Sequence, residues 1–397
     1  MLPSAPGKIL IVRFSALGDV IQTLPVLTML RDTFPDARIG WAIDTELAPA
    51  IEGHPALDYI HRCSRNRWKR GLARPPQWLP LKREFMALVR EVRLTGYDVA
   101  IDVQGLFKTA LLPWLAGIKR RVGYRQGREF SSLFYTERFR DRNEYFDPAV
   151  FHLEHMAGLV GMLRGPGAQS EYRAQPPAIS EVVRKRVTEQ MSKAFLNSAP
   201  VIAMAPATQW ASKAWPEEYW IVLIHRLLTR TRLNLLLLGS SADESMARRV
   251  LGACSTEQLT GRVCNLFGKS PLPAMYAVYE HVAAAVGPDS APLHVAGAMG
   301  VPVLIGIYGP TGFRRTPPLG SPHIRLLSTE GLLACQPCHQ RVCPLGTGEC
   351  MTRIGPDDVY EALLENLNAS GINWEWPPMD APISSLRYNE KRSAGQP

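Results

Sequence analysis

Short apolar runs alternate with amphipathic stretches along both halves of the chain. An unbroken apolar run is typical of a strand buried on both faces, and apolar residues three or four apart are typical of a helix. The helical pattern follows the first run directly, at Val20, Leu24 and Leu27. The predicted strands of the first half are 8–14, 37–43, 97–103 and 121–124, and a further helix is predicted near 83–95.

The second half repeats this alternation. Its predicted strands are 200–206, 233–239, 282–288 and 301–309. Its predicted helices are 217–228, one from about Asp243, a short one after Pro292, and 357–367. Strands that alternate with helices predict a parallel sheet covered on both faces, so the fold class is α/β with two doubly wound, Rossmann-like units.

A domain boundary is predicted near the middle of the chain. Residues 165–180 are rich in Gly, Pro and Ser, as linkers are, and 397 residues is long for a single core. The predicted domains are therefore 1–175 and 176–375. The end of the chain, 376–397, has no apolar periodicity and is expected to be a disordered tail.

Basic residues are concentrated in one part of the chain. The 45 Lys and Arg outnumber the 36 Asp and Glu, a net charge of +9, and residues 61–142 alone hold 19 basic and 7 acidic side chains. The densest run, 61–83, includes Arg65, Arg67, Lys69 and Arg70. This pattern favours an anionic partner, namely a nucleic acid, an acidic membrane surface or a phosphorylated substrate, although a solvated basic face has the same pattern.

Neither an export signal nor a membrane span is predicted. Residues 1–14 lack the basic start of a signal peptide, and Arg13 interrupts their apolar run. Residues 290–313 contain no Asp, Glu, Lys or Arg, but their prolines and glycines fit buried α/β segments better than a bilayer span. The chain is therefore expected in the cytoplasm, where its seven cysteines need not form disulfides.

Two strand ends in the first half carry polar residues. In VRFSALGDVIQTLP, Gly18 allows close backbone approach and Asp19 begins a helix at the carboxyl end of a strand, where open α/β sheets bind ligands. Asp19 could equally be an ordinary helix cap. IDVQGLFKTALL places Asp102, Gln104 and Lys108 at the same edge of the sheet if the strands are parallel. Neither G-x-G-x-x-G nor a Walker A lysine pattern occurs.

The second half contains two candidate phosphate-binding loops. VGPDSAPLHVAGAMGVP places Asp289, Ser290, Ala291 and His294 across a strand end and a helix start. Free N–H groups at a helix start favour a nucleotide diphosphate, although a capped helix with a buried histidine has the same residues. In APATQWASKAWP, Lys213 could neutralise a leaving pyrophosphate. Because no D-x-D triplet is present, a metal-free route to leaving-group stabilisation is the natural inference.

Four of the cysteines lie within 16 residues, with His339 among them. Four thiolates this close could enclose a tetrahedral zinc or an iron ion. The spacing is not that of a standard zinc ribbon, so reduced structural thiols are the alternative. The four are Cys335, Cys338, Cys343 and Cys350.

With these residues in view, the chain resembles the family-9 glycosyltransferases, the bacterial lipopolysaccharide heptosyltransferases, over about 8–367. The resemblance is carried by SALGDVIQTLP, IDVQGLFKTALL, KAWPEEYW, GPDSAPLHVAGAMGVPV and CQPCHQRVCPLGTGECM, which occur in the family's order. RNRWKR and REFSSLFYTERF look most like the enzymes that add the first heptose to the Kdo region. The resemblance implies a GT-B fold, in which two Rossmann-like domains face each other across a central cleft, with the acceptor on the N-terminal side and the nucleotide sugar on the C-terminal side.

The resemblance also implies the chemistry. It implies inverting transfer from ADP-L-glycero-D-manno-heptose with no cofactor required for catalysis, Asp19 being the general base that deprotonates the acceptor hydroxyl. Lys213, assisted by Thr208, would hold the diphosphate, and either Asp243 or Glu244 would hold the ribose. The family's donor-binding D-[TS]-G-x-x-H motif is matched by Asp289, Ser290, Ala291 and His294, with Ala291 in place of the usual glycine.

The implied acceptor is Kdo-lipid A or another inner-core glycolipid, at the anionic inner face of the cytoplasmic membrane, where the enzyme would be peripheral. Its Kdo carboxylates and lipid A phosphates suit the basic N-terminal half. The predicted acceptor-binding residues are Ser15, Gly18, Arg65, Arg67, Lys69, Arg70, Asp102, Gln104, Lys108 and Arg121.

Three alternatives stay open at this point. A family-9 enzyme could use another sugar or a protein acceptor, because members that modify autotransporter adhesins carry a four-cysteine metal finger of different spacing. A nucleic-acid-binding protein could use the basic run 61–83, with Trp68 and Trp78 stacking on bases, but no RNP or zinc-finger pattern is present and no nucleic-acid partner is predicted. A silent nucleotide-binding scaffold fits poorly with Asp19, Lys213 and His294.

Overall fold

A computed structural model describes residues 5–64, 78–140, 152–164 and 172–376. These described residues form two six-stranded sheets, both entirely parallel, and this confirms the predicted pair of α/β units. Part of the predicted linker, the predicted tail after Trp376 and the acceptor candidates Arg65, Arg67, Lys69 and Arg70 lie outside the described residues.

The first sheet has the strand order β3-β2-β1-β4-β5-β6. Its strands are β1 (Lys8–Val12), β2 (Arg38–Asp44), β3 (Tyr59–Cys63), β4 (Val99–Asp102), β5 (Arg120–Tyr124) and β6 (Glu137–Phe139). The helices of this half are α1 (Leu17–Thr33), α2 (Trp78–Thr95), α3 (Phe107–Leu115) and α4 (His152–Arg164). In register, Ile9 lies opposite both Ile39 and Val99, so β1 is central.

The second sheet repeats this winding, with the order β12-β11-β10-β7-β8-β9. Its strands are β7 (Val201–Met204), β8 (Asn234–Leu237), β9 (Val263–Asn265), β10 (Ala284–Pro288), β11 (Val303–Tyr308) and β12 (His323–Ser328). Its helices are α5 (Glu181–Ala194), α6 (Glu217–Arg230), α7 (Glu244–Gly252), α8 (Thr256–Leu259), α9 (Leu272–Tyr279), α10 (Ala291–Ala298), α11 (Glu349–Thr352) and α12 (Pro356–Ala369). Each sheet thus reverses its strand order beside its first strand, at the point where doubly wound folds bind ligands.

The central strands are apolar because helices cover both of their faces. Ile9, Leu10, Ile11 and Val12 are all fully buried, which explains the unbroken apolar run of β1. The outer strands β3 and β12 were not predicted from the sequence. Their segments, YIHRC and HIRLLS, mix charged and apolar residues because an outer strand is only partly covered.

The two halves pack against each other through their helices. Helix α1 contacts α10, and one buried apolar cluster includes residues of both sheets. The Tyr276 hydroxyl, on α9, donates a 2.8 Å hydrogen bond to the Ala50 carbonyl of the first half. A Cβ on Gly18 would lie 3.2 Å from His294 Cδ2, so a side chain at this position would crowd His294 where α1 approaches α10. The carboxyl-terminal edges of the two sheets therefore meet.

Among the residues that the structure describes, no helix combines the length and the apolarity needed to cross a membrane.

Candidate active site

Asp19 lies in the first turn of α1, directly after the central strand β1. Its carboxylate accepts a 3.1 Å hydrogen bond from the Ala16 N–H and lies 2.8 Å from the Arg13 guanidinium. The side chain is still 41% exposed, whereas that of Arg13 is 4% exposed. Asp19 is therefore fixed in orientation but remains accessible.

The surroundings of Asp19 keep it ionised. The protein atoms packed around the carboxyl disfavour its charged form, but the charge of Arg13 and the other polar groups around the carboxyl together outweigh this and lower the pKa of Asp19 below its usual value. Arg13 is itself held in place, because it donates a 2.8 Å hydrogen bond to the Val103 carbonyl. Burial and the charge of Arg13 lower the pKa of the neighbouring His152 to about 3, so His152 is neutral at physiological pH.

Asp102, at the end of the neighbouring strand β4, forms hydrogen bonds with loops of the protein itself. The Asp102 carboxylate accepts hydrogen bonds from the N–H groups of Gln104 and Gly105 and from the Tyr135 hydroxyl, at 2.8–3.0 Å. It is 1% exposed, and burial raises its pKa. The Gln104 side chain accepts from the Phe14 N–H at 2.8 Å. Asp102 and Gln104, which were predicted to bind the acceptor, thus act within the protein in this structure.

The other described acceptor candidates are partly covered. The Arg121 guanidinium donates to the Phe134 carbonyl at 2.6 Å and to the Ile118 carbonyl, which ties β5 to the segments beside it. Ser15 is buried, and Lys108 is half-buried in the first turn of α3. Gly18 lies beside His294, where an added Cβ would be crowded, as described above.

On the facing edge, Asp289 follows the central strand β10 and is enclosed. Its carboxylate contacts Lys213 Nζ at 2.6 Å, the Thr311 hydroxyl at 2.7 Å and His294 Nε2 at 3.1 Å. The side chain is 6% exposed. Burial disfavours its charged form, yet Lys213 and then His294 outweigh this and lower the pKa of Asp289 far below its usual value.

Lys213 projects from the 3-10 turn Ala211–Lys213. Its ammonium group also donates to the Asp289 carbonyl at 3.1 Å and lies 4.7 Å from the centre of the Trp210 ring. The turn is anchored because the Ser212 N–H and hydroxyl donate to the carbonyls of Arg341 and Gln340. The lysine is therefore positioned by a buried carboxylate on one side and an aromatic face on the other.

The start of α10 offers unused donors beside this lysine. Ser290 caps the helix in an extended conformation, and its buried hydroxyl has no hydrogen-bond partner among the described residues. Pro292 contributes no N–H, so the donors at this end come from Ser290 and Ala291. A buried hydroxyl without a partner beside a cation is a suitable place for a phosphate oxygen.

The two ribose candidates differ in their surroundings. The Asp243 carboxylate accepts a 2.5 Å hydrogen bond from the Ser240 hydroxyl and a longer one from its N–H, so it caps its own turn. Glu244 is exposed at the start of α7, and a Cβ on Gly268 would lie 3.0 Å from its Oε1. Thr208, in the loop after β7, is half-buried.

Sequence reasoning missed three side chains of this site. Arg13 lies inside an apolar strand pattern, Thr311 lies 22 residues from the carboxylate it contacts, and Gln22 lies on the covered face of α1. Gln22 Nε2 is 3.5 Å from His294 Nδ1, which links the helix of Asp19 to the carboxylate of Asp289. The sequence offered one signal, for Arg13: a basic residue six positions before the strand-end aspartate Asp19.

The four clustered cysteines line a single cavity with Ser212 and Gln336. Hydrogen bonds from the N–H of Gly348 and from those of residues 345–347 lower the pKa of the Cys343 thiol. Burial, followed by the charges of the other three thiols, raises the pKa of Cys350 to about 11. Among the described residues, no group of three His, Cys, Asp or Glu side chains is arranged to hold a metal ion. Zinc or iron at this cluster stays a prediction.

Comparison with known proteins identifies the family from the sequence and the fold from the structure. The model of glycosyltransferase family 9 (heptosyltransferase) matches residues 85–348. Lipopolysaccharide heptosyltransferase 1 of Pseudomonas aeruginosa is 28% identical over 374 residues, which cover 90% of this chain and 97% of the relative.

Two solved structures share the whole fold. E. coli ADP-heptose lipopolysaccharide heptosyltransferase II has a TM-score of 0.70 and 24% identity, covering 92% of this chain and 99% of its own. E. coli heptosyltransferase WaaC, solved with ADP-2-deoxy-2-fluoro heptose, has a TM-score of 0.66 and 23% identity, covering 90% and 99%. These likenesses confirm the two-domain GT-B fold.

Proposed function

Because the chain belongs to glycosyltransferase family 9 (heptosyltransferase) and is a glycosyltransferase, we propose that it transfers L-glycero-D-manno-heptose from ADP-heptose to the Kdo region of the lipopolysaccharide inner core. The named relatives include lipopolysaccharide heptosyltransferases, and one solved relative holds an ADP-heptose analogue. The transfer inverts the anomeric centre and leaves ADP as the product.

The C-terminal half binds the donor. Lys213 and the donors of Ser290 and Ala291 face the diphosphate, and Glu244 accepts from the ribose because its carboxylate, unlike that of Asp243, is not used to cap a turn. Asp289 has its carboxylate occupied by Lys213, Thr311 and His294, so it acts by positioning Lys213.

Asp19 acts as the general base. Inversion by a single displacement needs one base on the acceptor side, and the hydroxyl it deprotonates must approach opposite the leaving ADP. Asp19 is ionised, oriented by Arg13 and accessible, and the preceding residue lies beside His294 of the donor half. This juxtaposition of an accessible carboxylate with the edge that carries Lys213 and the start of α10 is the observation that carries the proposal.

Positive charge for the leaving diphosphate comes from the protein. Lys213 and the start of α10 supply it in a partly buried setting, where a fixed charge is worth more than in water. We therefore expect transfer to proceed without a divalent metal ion.

The acceptor binds on the N-terminal half. The positive charge of the basic run 61–83, and of the segment 61–142 that contains it, is opposite to that of the Kdo carboxylates and the lipid A phosphates. Such an acceptor is anchored in a bilayer, so the enzyme works as a peripheral protein on the anionic inner face of the cytoplasmic membrane.

Mass spectrometry of reaction products tests the proposal. ADP-heptose is incubated with lipid A acceptors that carry one Kdo, two Kdo or none. The expected result is the addition of one heptosyl group to the Kdo-bearing acceptors only. Transfer from ADP-heptose to a protein, or from another nucleotide sugar in preference, would overturn it.

A further inference from the structure

Four large apolar side chains are exposed on one part of the N-terminal half. Phe107 and Trp114, on α3, are 44% and 49% exposed. Phe130 and Leu133, at the 3-10 turn Ser131–Phe134, are 79% and 71% exposed. Exposed apolar side chains that cluster on a soluble domain mark interaction surfaces. These four residues, with Phe134, are called the aromatic patch below.

Rings of the aromatic patch are held in place by packing against one another. The ring of Phe134 packs edge-on against Phe107, with centroids 5.4 Å apart, and against Trp114, with centroids 5.6 Å apart. The turn that carries Phe130 and Leu133 therefore packs onto α3 rather than projecting freely.

Hydrogen bonds hold the same turn to the sheet edge. The Ser131 hydroxyl donates to the Gly105 carbonyl at 3.1 Å, and the Arg128 N–H donates to that carbonyl at 2.9 Å. Arg121 contributes a third bond, to the Phe134 carbonyl. Gly105 belongs to the loop after β4, which neighbours β1, so the patch adjoins the edge of the sheet at which Asp19 lies.

The positive charge around the aromatic patch favours an anionic partner. Residues 105–140, which contain the whole patch, hold eight basic and two acidic side chains. Lys119, Arg125 and Arg128 are exposed within this segment. Aromatic rings among basic side chains suit the headgroup level of an anionic bilayer, where the rings enter the boundary with the acyl chains and the cations meet phosphates.

We infer that the aromatic patch is the element that docks the enzyme on an anionic lipid bilayer, with Phe130 and Leu133 entering the interface most deeply. Docking there places the sheet edge of Asp19 beside the membrane surface, so a sugar projecting from the headgroups enters the cleft from that side. The inference rests on the proposed function for its glycolipid acceptor, but the docking itself is measured without any transfer.

Vesicle co-sedimentation tests the inference. Wild type and the double variant F130S/L133S are mixed with vesicles of phosphatidylglycerol and phosphatidylcholine, and with vesicles of phosphatidylcholine alone. Wild type is expected to bind the anionic vesicles, less so at high salt, and the double variant to bind about tenfold more weakly because both apolar anchors are lost. The matched control V182S/L332S removes two equally exposed side chains of the C-terminal half and should bind as wild type does.

The outcomes separate the inference from the proposed function. Transfer to a water-soluble, acyl-free Kdo acceptor should be the same in wild type and F130S/L133S, and a loss of transfer in both would count against the function alone. Equal vesicle binding by the two proteins would overturn the inference. So would a change of oligomeric state in F130S/L133S with vesicle binding kept, because the patch would then serve a protein partner.

Discussion

Asp19 and Asp289 both lie at the carboxyl end of a central strand, beside the start of a helix, and yet they differ in exposure and in the number of side chains that contact them. The carboxylate of Asp19 is 41% exposed and has one cationic partner. The carboxylate of Asp289 is 6% exposed and is enclosed by Lys213, Thr311 and His294. An accessible carboxylate can reach a substrate, whereas an enclosed one organises the side chains around it.

Asp102 supports this distinction from a third position. It ends β4, the fourth strand of the first sheet, as Asp289 follows β10, the fourth strand of the second. It too is buried and has its oxygens occupied, by Tyr135 and by two backbone N–H groups. The equivalent strand ends of the two sheets therefore carry buried aspartates whose oxygens are bonded within the protein, whereas Asp19, after β1, is exposed.

The largest effect is expected from Asp19→Asn. The amide keeps the shape and a hydrogen-bonding oxygen but cannot take a proton, so turnover should fall about 10²–10⁴-fold. Steady-state transfer to a Kdo-bearing acceptor measures it. Asp19→Glu, which keeps the carboxylate at a longer reach, should retain more activity than the amide, and near-normal turnover of Asp19→Asn would remove the residue from the role of base.

Lys213→Met should lower the stability of the protein as well as its donor binding. It leaves the enclosed Asp289 carboxylate without its main cation, which costs about 3 kcal/mol of unfolding free energy. The double variant Lys213→Met/Asp289→Asn should recover much of that stability, as measured by chemical denaturation, without recovering turnover. If the double variant is no more stable than the single one, Asp289 does not depend on Lys213 as described.

Arg13→Met should change the pH dependence of transfer. Burial raises the pKa of Asp19 and Arg13 lowers it, so removing Arg13 leaves burial to act and the pKa rises. The acid limb of kcat/KM should then move upward by about one pH unit. Arg13→Lys keeps the charge and should restore a profile close to that of wild type. An unchanged acid limb in Arg13→Met, at reduced kcat, would mean that Arg13 is only structural.

The smallest effect is expected from Gln22→Leu. Its long contact with His294 is one of several that join the two halves, so its loss should change KM for ADP-heptose by about two- to fivefold and leave kcat nearly unchanged. Gln22→Glu, which offers two acceptors in place of the amide, serves as the comparison. A large fall in kcat would show that this contact also positions the helix of Asp19.

Much of the fold could be predicted from the sequence because central strands are unbroken apolar runs. The apolar runs KILIV and VLIGIY predict β1 and β11 for this reason. Outer strands such as β3 do not, since one edge and part of one face remain uncovered and charged residues such as Arg62 are allowed. Helix α5 was also missed, because it has a strongly polar composition with few buried positions.

The candidate site was predictable where strand ends meet loops. That rule selected Asp19, Lys213 and Asp289 without any contact being known. It could not separate the accessible Asp19 from the enclosed Asp102, because enclosure depends on Tyr135, which lies 33 residues further along the chain. The exposure of a side chain depends on the packed fold, so the sequence predicted both carboxylates as site residues on the same grounds.

Calorimetric titration of ADP into Asp19→Asn and Asp289→Asn, side by side, tests the division between the two aspartates most directly. Asp19→Asn should bind ADP as wild type does and fail to transfer, since its side chain belongs to the acceptor half. Asp289→Asn should bind ADP at least about tenfold more weakly, because Lys213 is no longer held against the start of α10. Normal ADP binding by Asp289→Asn together with weakened binding by Asp19→Asn would contradict the account.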